Sequence, residues 1–86
     1  MVTVRLPASL QPLAGGVASV ESNGMTLRSV IDDLERRFPG MGERLIEAGA
    51  IRGDVIIAVG SDETRDLDAP LPDGAEVHIL PAIAGG

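Results

Sequence analysis

Apolar and polar side chains alternate along four stretches of the chain, and this two-residue period is typical of half-buried β-strands. The stretches cover residues 2–6, 17–22, 54–60 and 75–80. In the first stretch, Val2, Val4 and Leu6 should point into a core while the residues between them face solvent. The pattern therefore predicts four strands.

The third and fourth strands should each present one face to the core. We expect the core-facing residues to be Val55, Ile57, Val59, Val77 and Ile79. The opposite face should carry Ile56, Ala58, His78 and Leu80. If the two strands are neighbours, these four residues form a mostly apolar cluster that is a candidate partner-binding surface. Ordinary scattered exposure is the alternative interpretation.

A helical period replaces the alternation after the second strand. Apolar side chains recur along one stripe formed by Leu27, Val30, Ile31, Leu34 and Phe38. Thr26 is suitably placed to cap this helix at its N-terminus. Asp32 with Arg36, and Asp33 with Arg37, have the i,i+4 spacing of ion pairs on the outer side.

The remaining segments are predicted as shorter elements and turns. Residues 39–40, Pro-Gly, should end the helix, and residues 41–46 offer one or two further helical turns. Residues 61–64, SDET, are interpreted as a turn, and so is the Asp-Gly pair at 73–74.

The order of elements indicates an α+β fold. Two strands, a long amphipathic helix and further strands are most simply buried by laying the helix across one face of a small mixed sheet. This is the β-grasp arrangement of ubiquitin-like domains. We expect residues 1–80 to form that single domain and residues 81–86 to form a flexible C-terminal tail.

Composition excludes several classes of function. The formal net charge of −6 opposes both the basic surface of a nucleic-acid-binding protein and a polybasic membrane patch. The sequence shows no apolar run of transmembrane length and no signal peptide, so we expect a cytoplasmic protein without membrane partners. Cysteine and lysine are both absent, which removes thiolate and Schiff-base chemistry.

Conventional catalytic and metal sites are not evident. His78 is the only histidine, and a solvated or interface position is favoured over a role as catalytic base. The acidic stretch at 62–73 does not have the spacing of a calcium loop. Residues 14–16, AGG, lack the spacing of a phosphate-binding loop. We therefore predict that the protein is not itself an enzyme and binds neither a metal nor a cofactor.

The last six residues, PAIAGG, suggest a different chemistry. Gly85 and Gly86 carry no Cβ, so their backbone could thread a narrow channel in another protein. Ile83, with Ala82 and Ala84, would give the channel walls an apolar contact. ATP could then convert the carboxylate of Gly86 into a reactive acyl-adenylate. A frayed tail without function is the alternative.

The stretch LPDGAEVHILPAIAGG closely resembles the end of the MoaD/ThiS/CysO family of ubiquitin-like sulfur carriers. That family has a DG turn, a V-x-I-x-P strand and a V/I-A-G-G ending in this order, and the resemblance extends over essentially the whole chain. It implies that a MoeB/ThiF-type adenylyltransferase uses ATP to adenylate Gly86, and that sulfur then displaces AMP to leave a thiocarboxylate. By position, Gly85 provides clearance, and Pro81, Ala82, Ile83 and Ala84 form the threaded arm.

The resemblance leaves the sulfur acceptor open. The ending and the opening RLPASLQPLAGG look most like CysO carriers, which serve a cysteine synthase that depends on pyridoxal phosphate. Molybdopterin synthase ranks second, and thiamin or thio-natural-product enzymes rank third. A ubiquitin-like modifier joined through Gly86 to target lysines is the alternative from another class, and a plain binding module with an inert tail is a further one.

Overall fold

The computed structural model describes residues 1–82, which form seven short strands, two α-helices and one 3-10 helix. The strands are β1 (Val2–Arg5), β2 (Ser19–Ser22), β3 (Ile46–Glu47), β4 (Ala50–Ile51), β5 (Val55–Val59), β6 (Asp62–Thr64) and β7 (Glu76–Pro81). The α-helices are α1 (Leu27–Arg37) and α2 (Met41–Leu45). The 3-10 helix, Gln11–Ala14, lies in the connection between β1 and β2.

Five of the strands form one mixed sheet in the order β2-β1-β7-β5-β6. β1 pairs in parallel with β7, and the other three pairings are antiparallel. The buried side chains of α1 join those of the central strands in a single core, so the helix lies across one face. The predicted α+β, β-grasp fold is thereby confirmed.

The core contains the apolar residues that the sequence pattern assigned to it. Val55, Ile57, Val77 and Ile79 are buried, and Val59 is half-buried and packs against them. On the helix, the stripe residues Leu27, Val30, Ile31 and Leu34 are all buried as well. Burial of each side chain of this kind contributes roughly 1.5–3 kcal/mol, so the inner face of the sheet accounts for much of the folding energy.

α1 begins with the predicted N-cap. The Thr26 hydroxyl accepts a hydrogen bond from the Ser29 amide at 3.2 Å, and the Ser29 hydroxyl accepts one from the Thr26 amide at 3.0 Å. This reciprocal capping box satisfies two amides near the start of the helix. Gly24 lies so close to the first turn that a Cβ there would approach the Val30 amide nitrogen to 2.6 Å. Glycine at this position therefore permits the approach of the preceding turn to the helix.

The predicted ion pairs on α1 are only partly correct. Asp33 pairs with both arginines, at 2.8 Å to Arg36 and 3.6 Å to Arg37. The expected Asp32–Arg36 pair is absent among the described residues, because Arg36 reaches back three positions rather than four. Asp33 also accepts a hydrogen bond from buried Ser22 at 2.9 Å, so it lies against β2 rather than on the outer side.

Two short strand pairings were not predicted. Residues 62–64 form strand β6 instead of a turn, and Gly60, with φ of 62°, makes the reversal that precedes it. β6 is polar because it is an edge strand held through its backbone to β5. The expected extra helix stops at Leu45, where Ile46 begins a hairpin whose turn places Ala48 and Gly49 at positive φ.

Candidate docking surface and C-terminal arm

The outer face of the sheet brings the four predicted docking residues together. The register of β5 and β7 places Ile56 directly opposite Leu80, and Ala58 directly opposite His78. Directly opposed residues in a sheet lie on the same face with Cβ atoms about 4.5–5.5 Å apart. We call these four residues the outer patch. Their adjacency follows from the register, whereas their role in partner binding stays a prediction.

The members of the outer patch differ in how much surface they offer. Leu80 is 48% exposed and is the largest apolar contribution, while Ile56 and His78 are half-buried. Ala58 is only 8% exposed, so the expectation that it would be an accessible contact is wrong. Its short methyl group lies between the longer side chains of His78 on β7 and Glu63 on β6, which are its cross-strand partners.

Charged side chains border the outer patch on the β1 side. Arg5 is the cross-strand neighbour of His78, and its Nε lies 3.3 Å from a carboxylate oxygen of Glu76. His78 Nε2 lies 3.5 Å from the same oxygen. The only histidine of the sequence therefore lies beside half-exposed charged side chains. This position agrees with the interface interpretation of His78.

The predicted arm begins on the sheet itself. Pro81 is the last residue of β7 and is paired with Val55, and the amide of Ala82 donates to the carbonyl of Asp54 at 3.0 Å. Strand pairing thus continues past residue 80, where the sequence analysis ended the domain. The remaining predicted arm and site residues, Ile83, Ala84, Gly85 and Gly86, lie outside the described residues.

The segment opposite the start of the arm carries two charged groups that sequence reasoning missed. Arg52 binds the carboxylate of Asp54 through Nε at 3.0 Å and Nη2 at 3.4 Å. This hydrogen bond holds the pKa of Asp54 below its usual range, so the carboxylate stays ionised at neutral pH. The sequence offered one signal for Asp54, which is its position immediately before β5. An antiparallel partner strand places a residue at that position opposite residue 82.

A shallow cavity lies beside the start of the arm. Its volume is about 210 Å³, and its lining includes Pro81, Leu80 and Ile79 from β7, Arg44 from α2, and Arg52 and Asp54 from the segment opposite the arm. Because Leu80 also belongs to the outer patch, the cavity and the patch form one continuous region around the end of β7. A partner that binds the patch would therefore also contact the residues next to the arm.

The described part of the chain shows neither a metal centre nor a membrane span. No group of three or more His, Asp or Glu residues in positions 1–82 is arranged to hold a metal ion. Neither α-helix there has the length and apolar character required to cross a bilayer.

The fold and the sequence after β7 define the class of the protein, which is a ubiquitin-like β-grasp domain whose last sheet strand is followed in the sequence by Ala-Ile-Ala and then Gly-Gly. The chain belongs to the ThiS family, whose model matches residues 4–86. This match confirms the family that the C-terminal motif indicated.

Three relatives are similar over much of the chain. The sulfur carrier protein CysO of Mycobacterium tuberculosis is 42% identical, with 99% of this chain and 98% of CysO aligned, and its crystal structure superposes with a TM-score of 0.90. A chain in the structure of a BexX/CysO complex from Amycolatopsis orientalis matches with a TM-score of 0.92 and 36% identity, and the match covers 100% of this chain and 100% of that chain. Small archaeal modifier protein 3 of Haloferax volcanii is 34% identical, with 71% of this chain and 70% of that protein aligned.

Proposed function

We propose that this protein is a sulfur carrier that transports sulfur as a thiocarboxylate on Gly86. The observation that carries the proposal is the near full-length similarity to sulfur carrier protein CysO in a chain of the ThiS family. The position of β7 supports it, because this strand carries His78 and Leu80 of the outer patch and is followed in the sequence by the segment that contains Gly-Gly. The protein would thus be a cosubstrate for other enzymes and not a catalyst.

The first step is activation of the carboxylate. An oxygen of the Gly86 carboxylate attacks the α-phosphorus of ATP, pyrophosphate leaves, and an acyl-adenylate forms. Sulfide then attacks the acyl carbon, the bond to AMP breaks, and AMP leaves with the bonding electron pair. The product is a C-terminal thiocarboxylate. ATP is the co-reactant in the active site of a MoeB/ThiF-type enzyme, and the carrier supplies only the acyl group.

The outer patch is the proposed docking site for that activating enzyme. Leu80 and Ile56 provide apolar area, and Arg5, Glu76 and His78 provide a polar border, as is usual for protein interfaces. The face points away from α1, so a partner could cover it without disturbing the core. Docking there would bring the end of β7 to the partner surface, from which Gly85 and Gly86 could enter the active site.

The sulfur acceptor we favour is an enzyme of cysteine biosynthesis, because the near full-length similarity is to CysO. Enzymes of molybdopterin, thiamin or thio-natural-product synthesis are the alternatives. The complex recorded for a relative, BexX/CysO, supports the idea that a carrier of this type binds another protein. Binding of the thiocarboxylate arm by such an acceptor completes the proposed cycle.

A second candidate function is protein modification. The similarity to small archaeal modifier protein 3 favours it, although this alignment covers 71% of the chain against 99% for CysO. Both functions begin with the same acyl-adenylate. They differ in the nucleophile that follows, which is sulfide for a carrier and the amine of a target lysine for a modifier.

Intact mass spectrometry of the protein isolated from its native cell distinguishes the two functions. We expect a form in which one oxygen has been replaced by sulfur, located at Gly86 by fragmentation. A variant lacking Gly86 is the matched control and should lack the form in which sulfur replaces oxygen. A ladder of isopeptide conjugates without the sulfur form would contradict the carrier proposal and support the modifier.

A further inference from the structure

Arg65, just after β6, binds several backbone carbonyls of one segment. Its guanidinium donates to the carbonyl of Val55 at 3.3 Å, to the carbonyl of Arg52 at 3.2 Å, and to the carbonyl of Ile51. Ile51 is the last residue of β4, Val55 is the first residue of β5, and Arg52 lies in the connection between them. One side chain thus fixes both ends and the interior of this segment, which we call the 51–55 segment.

The 51–55 segment is also held from within. The Val55 amide donates to the Arg52 carbonyl at 3.2 Å, which closes a tight turn, and the Arg52 side chain binds the carboxylate of Asp54. These contacts leave the Asp54 carbonyl directed at β7. That carbonyl is the acceptor for the amide of Ala82, at 3.0 Å.

We infer that Arg65 is a positioning residue for the C-terminal arm. It acts through the 51–55 segment, whose Asp54 carbonyl holds the Ala82 amide and so fixes Ala82, the residue that precedes 83–86 in the sequence. Arg65 itself contacts none of β7 through a hydrogen bond, so its effect on the arm is indirect. The catalytic significance of this role rests on the proposed function, whereas the structural role does not.

The chemistry of arginine suits this task. Its planar guanidinium presents five N–H donors in a fixed fork, so it can bind several carbonyls at once, whereas a lysine ammonium is a flexible point charge. Arg65 is exposed overall and contributes no side chain to the apolar core. The three carbonyls could bind water in its absence. Loss of Arg65 should therefore loosen the segment far more than it destabilises the fold.

The position of Ala82 matters because the remaining arm is short. Four extended residues span at most about 14 Å, at roughly 3.3–3.6 Å per residue. A reactive carboxylate at the end of so short an arm has little slack to compensate for a displaced starting point.

Amide hydrogen exchange of Ala82, followed by NMR, tests the inference directly. In Arg65→Met we expect exchange at Ala82 to be about tenfold faster, with an intermediate effect in Arg65→Lys. The amide of Val30, which donates to Thr26 in α1, reports on the core and should be unchanged. Arg28→Met is the matched control, since it removes an exposed arginine that pairs with Asp68 and has no contact to the 51–55 segment.

The two amides together distinguish a local effect on the arm from a loss of global stability. Unchanged exchange at Ala82 would overturn the positioning role of Arg65, and so would equal acceleration at Ala82 and Val30, because that result indicates general destabilisation. If Arg65→Met does not fold, Arg65→Lys carries the same test.

With an activating enzyme, we also expect KM for the Arg65→Met carrier to rise about threefold at constant kcat, with Arg28→Met unchanged. Absence of any activation of the native chain would contradict the proposed function and leave the exchange result intact.

Discussion

The two faces of β5 and β7 have the same strands but opposite surroundings. On the inner face, Ile57 and Val77 are each 1% exposed and pack against α1 and the rest of the core. On the outer face, the neighbouring Leu80 is 48% exposed and nothing in residues 1–82 covers it. Folding accounts for the apolar side chains on the inner face. It does not account for those on the outer face, where we propose that a partner binds.

The stability of the fold and the proposed chemistry depend on different parts of the chain. The inner face stabilises a domain whose described residues contain no group of acidic or histidine side chains arranged to hold a metal ion. We propose that the fold acts as a support and that the reaction takes place at the C-terminus, in the active sites of partner enzymes.

The largest effect on stability should come from truncation on the inner face. Ile57→Ala removes a buried side chain from the centre of the core, and such substitutions cost about 2–5 kcal/mol. Ile56→Ala, one position earlier, changes the same side chain on the outer face and should cost about 1 kcal/mol or less. Urea denaturation of both variants measures the difference. Equal losses of unfolding free energy would contradict the assignment of the two faces.

A smaller effect, on binding rather than folding, is expected on the outer face. Leu80→Ala should raise the KM for the carrier in the activation reaction about tenfold, as expected for truncation of a central interface residue. Its unfolding free energy should change by less than about 1 kcal/mol. Met25→Ala is the control, because Met25 is 78% exposed but lies before α1, away from the outer patch. Equal kinetics for the Leu80 variant and the native chain would remove the outer patch from the docking site.

The smallest expected effect is on the stability that the Asp33 carboxylate contributes through its contacts with Ser22 and Arg36. Hydrogen bonds from Arg36 and from Ser22 lower the pKa of Asp33, whose side chain is 17% exposed. Because the folded-state pKa lies below the unfolded value of about 3.9, this stabilisation is complete at neutral pH. It decreases as the pH falls below about 4 and through the folded-state pKa.

Asp33→Asn should therefore be about 1 kcal/mol less stable at pH 7 and should lose less stability on acidification. Asp32→Asn serves as control, since its carboxylate is outside the network of Ser22 and Arg36. Thermal denaturation across this pH range measures both variants. Parallel pH profiles for Asp33→Asn and the native chain would show that the network has no energetic significance.

The periodicity of the sequence was sufficient to predict the fold but not its local pairings. Alternation assigned Ile57 and Ile56 to opposite faces, and the helical stripe identified the core side of α1. Strand β6 was missed because its residues are polar and its pairing depends on the backbone of β5. The short hairpin was missed because Ala48 adopts a positive φ, a conformation that alanine rarely has.

The sequence predicted the C-terminal segment and the outer patch to different extents. The Gly-Gly motif pointed to the C-terminus, and alternation supplied the members of the outer patch. The burial of Ala58 could not be predicted, because it depends on which side chains of β6 and β7 lie beside it. Arg65 was missed because its partners are backbone carbonyls, and a sequence carries no local pattern for contacts of that kind.

The central claim is that Gly86 is adenylated, and ATP–pyrophosphate exchange tests it most directly. The assay combines the purified protein, ATP, labelled pyrophosphate and a MoeB/ThiF-type enzyme from the same organism. We predict exchange that requires the carrier and is lost when Gly86 is deleted, while Leu80→Ala reduces it only by weakening docking. Exchange of equal rate with the chain lacking Gly86, or no exchange with the native chain, would contradict the claim.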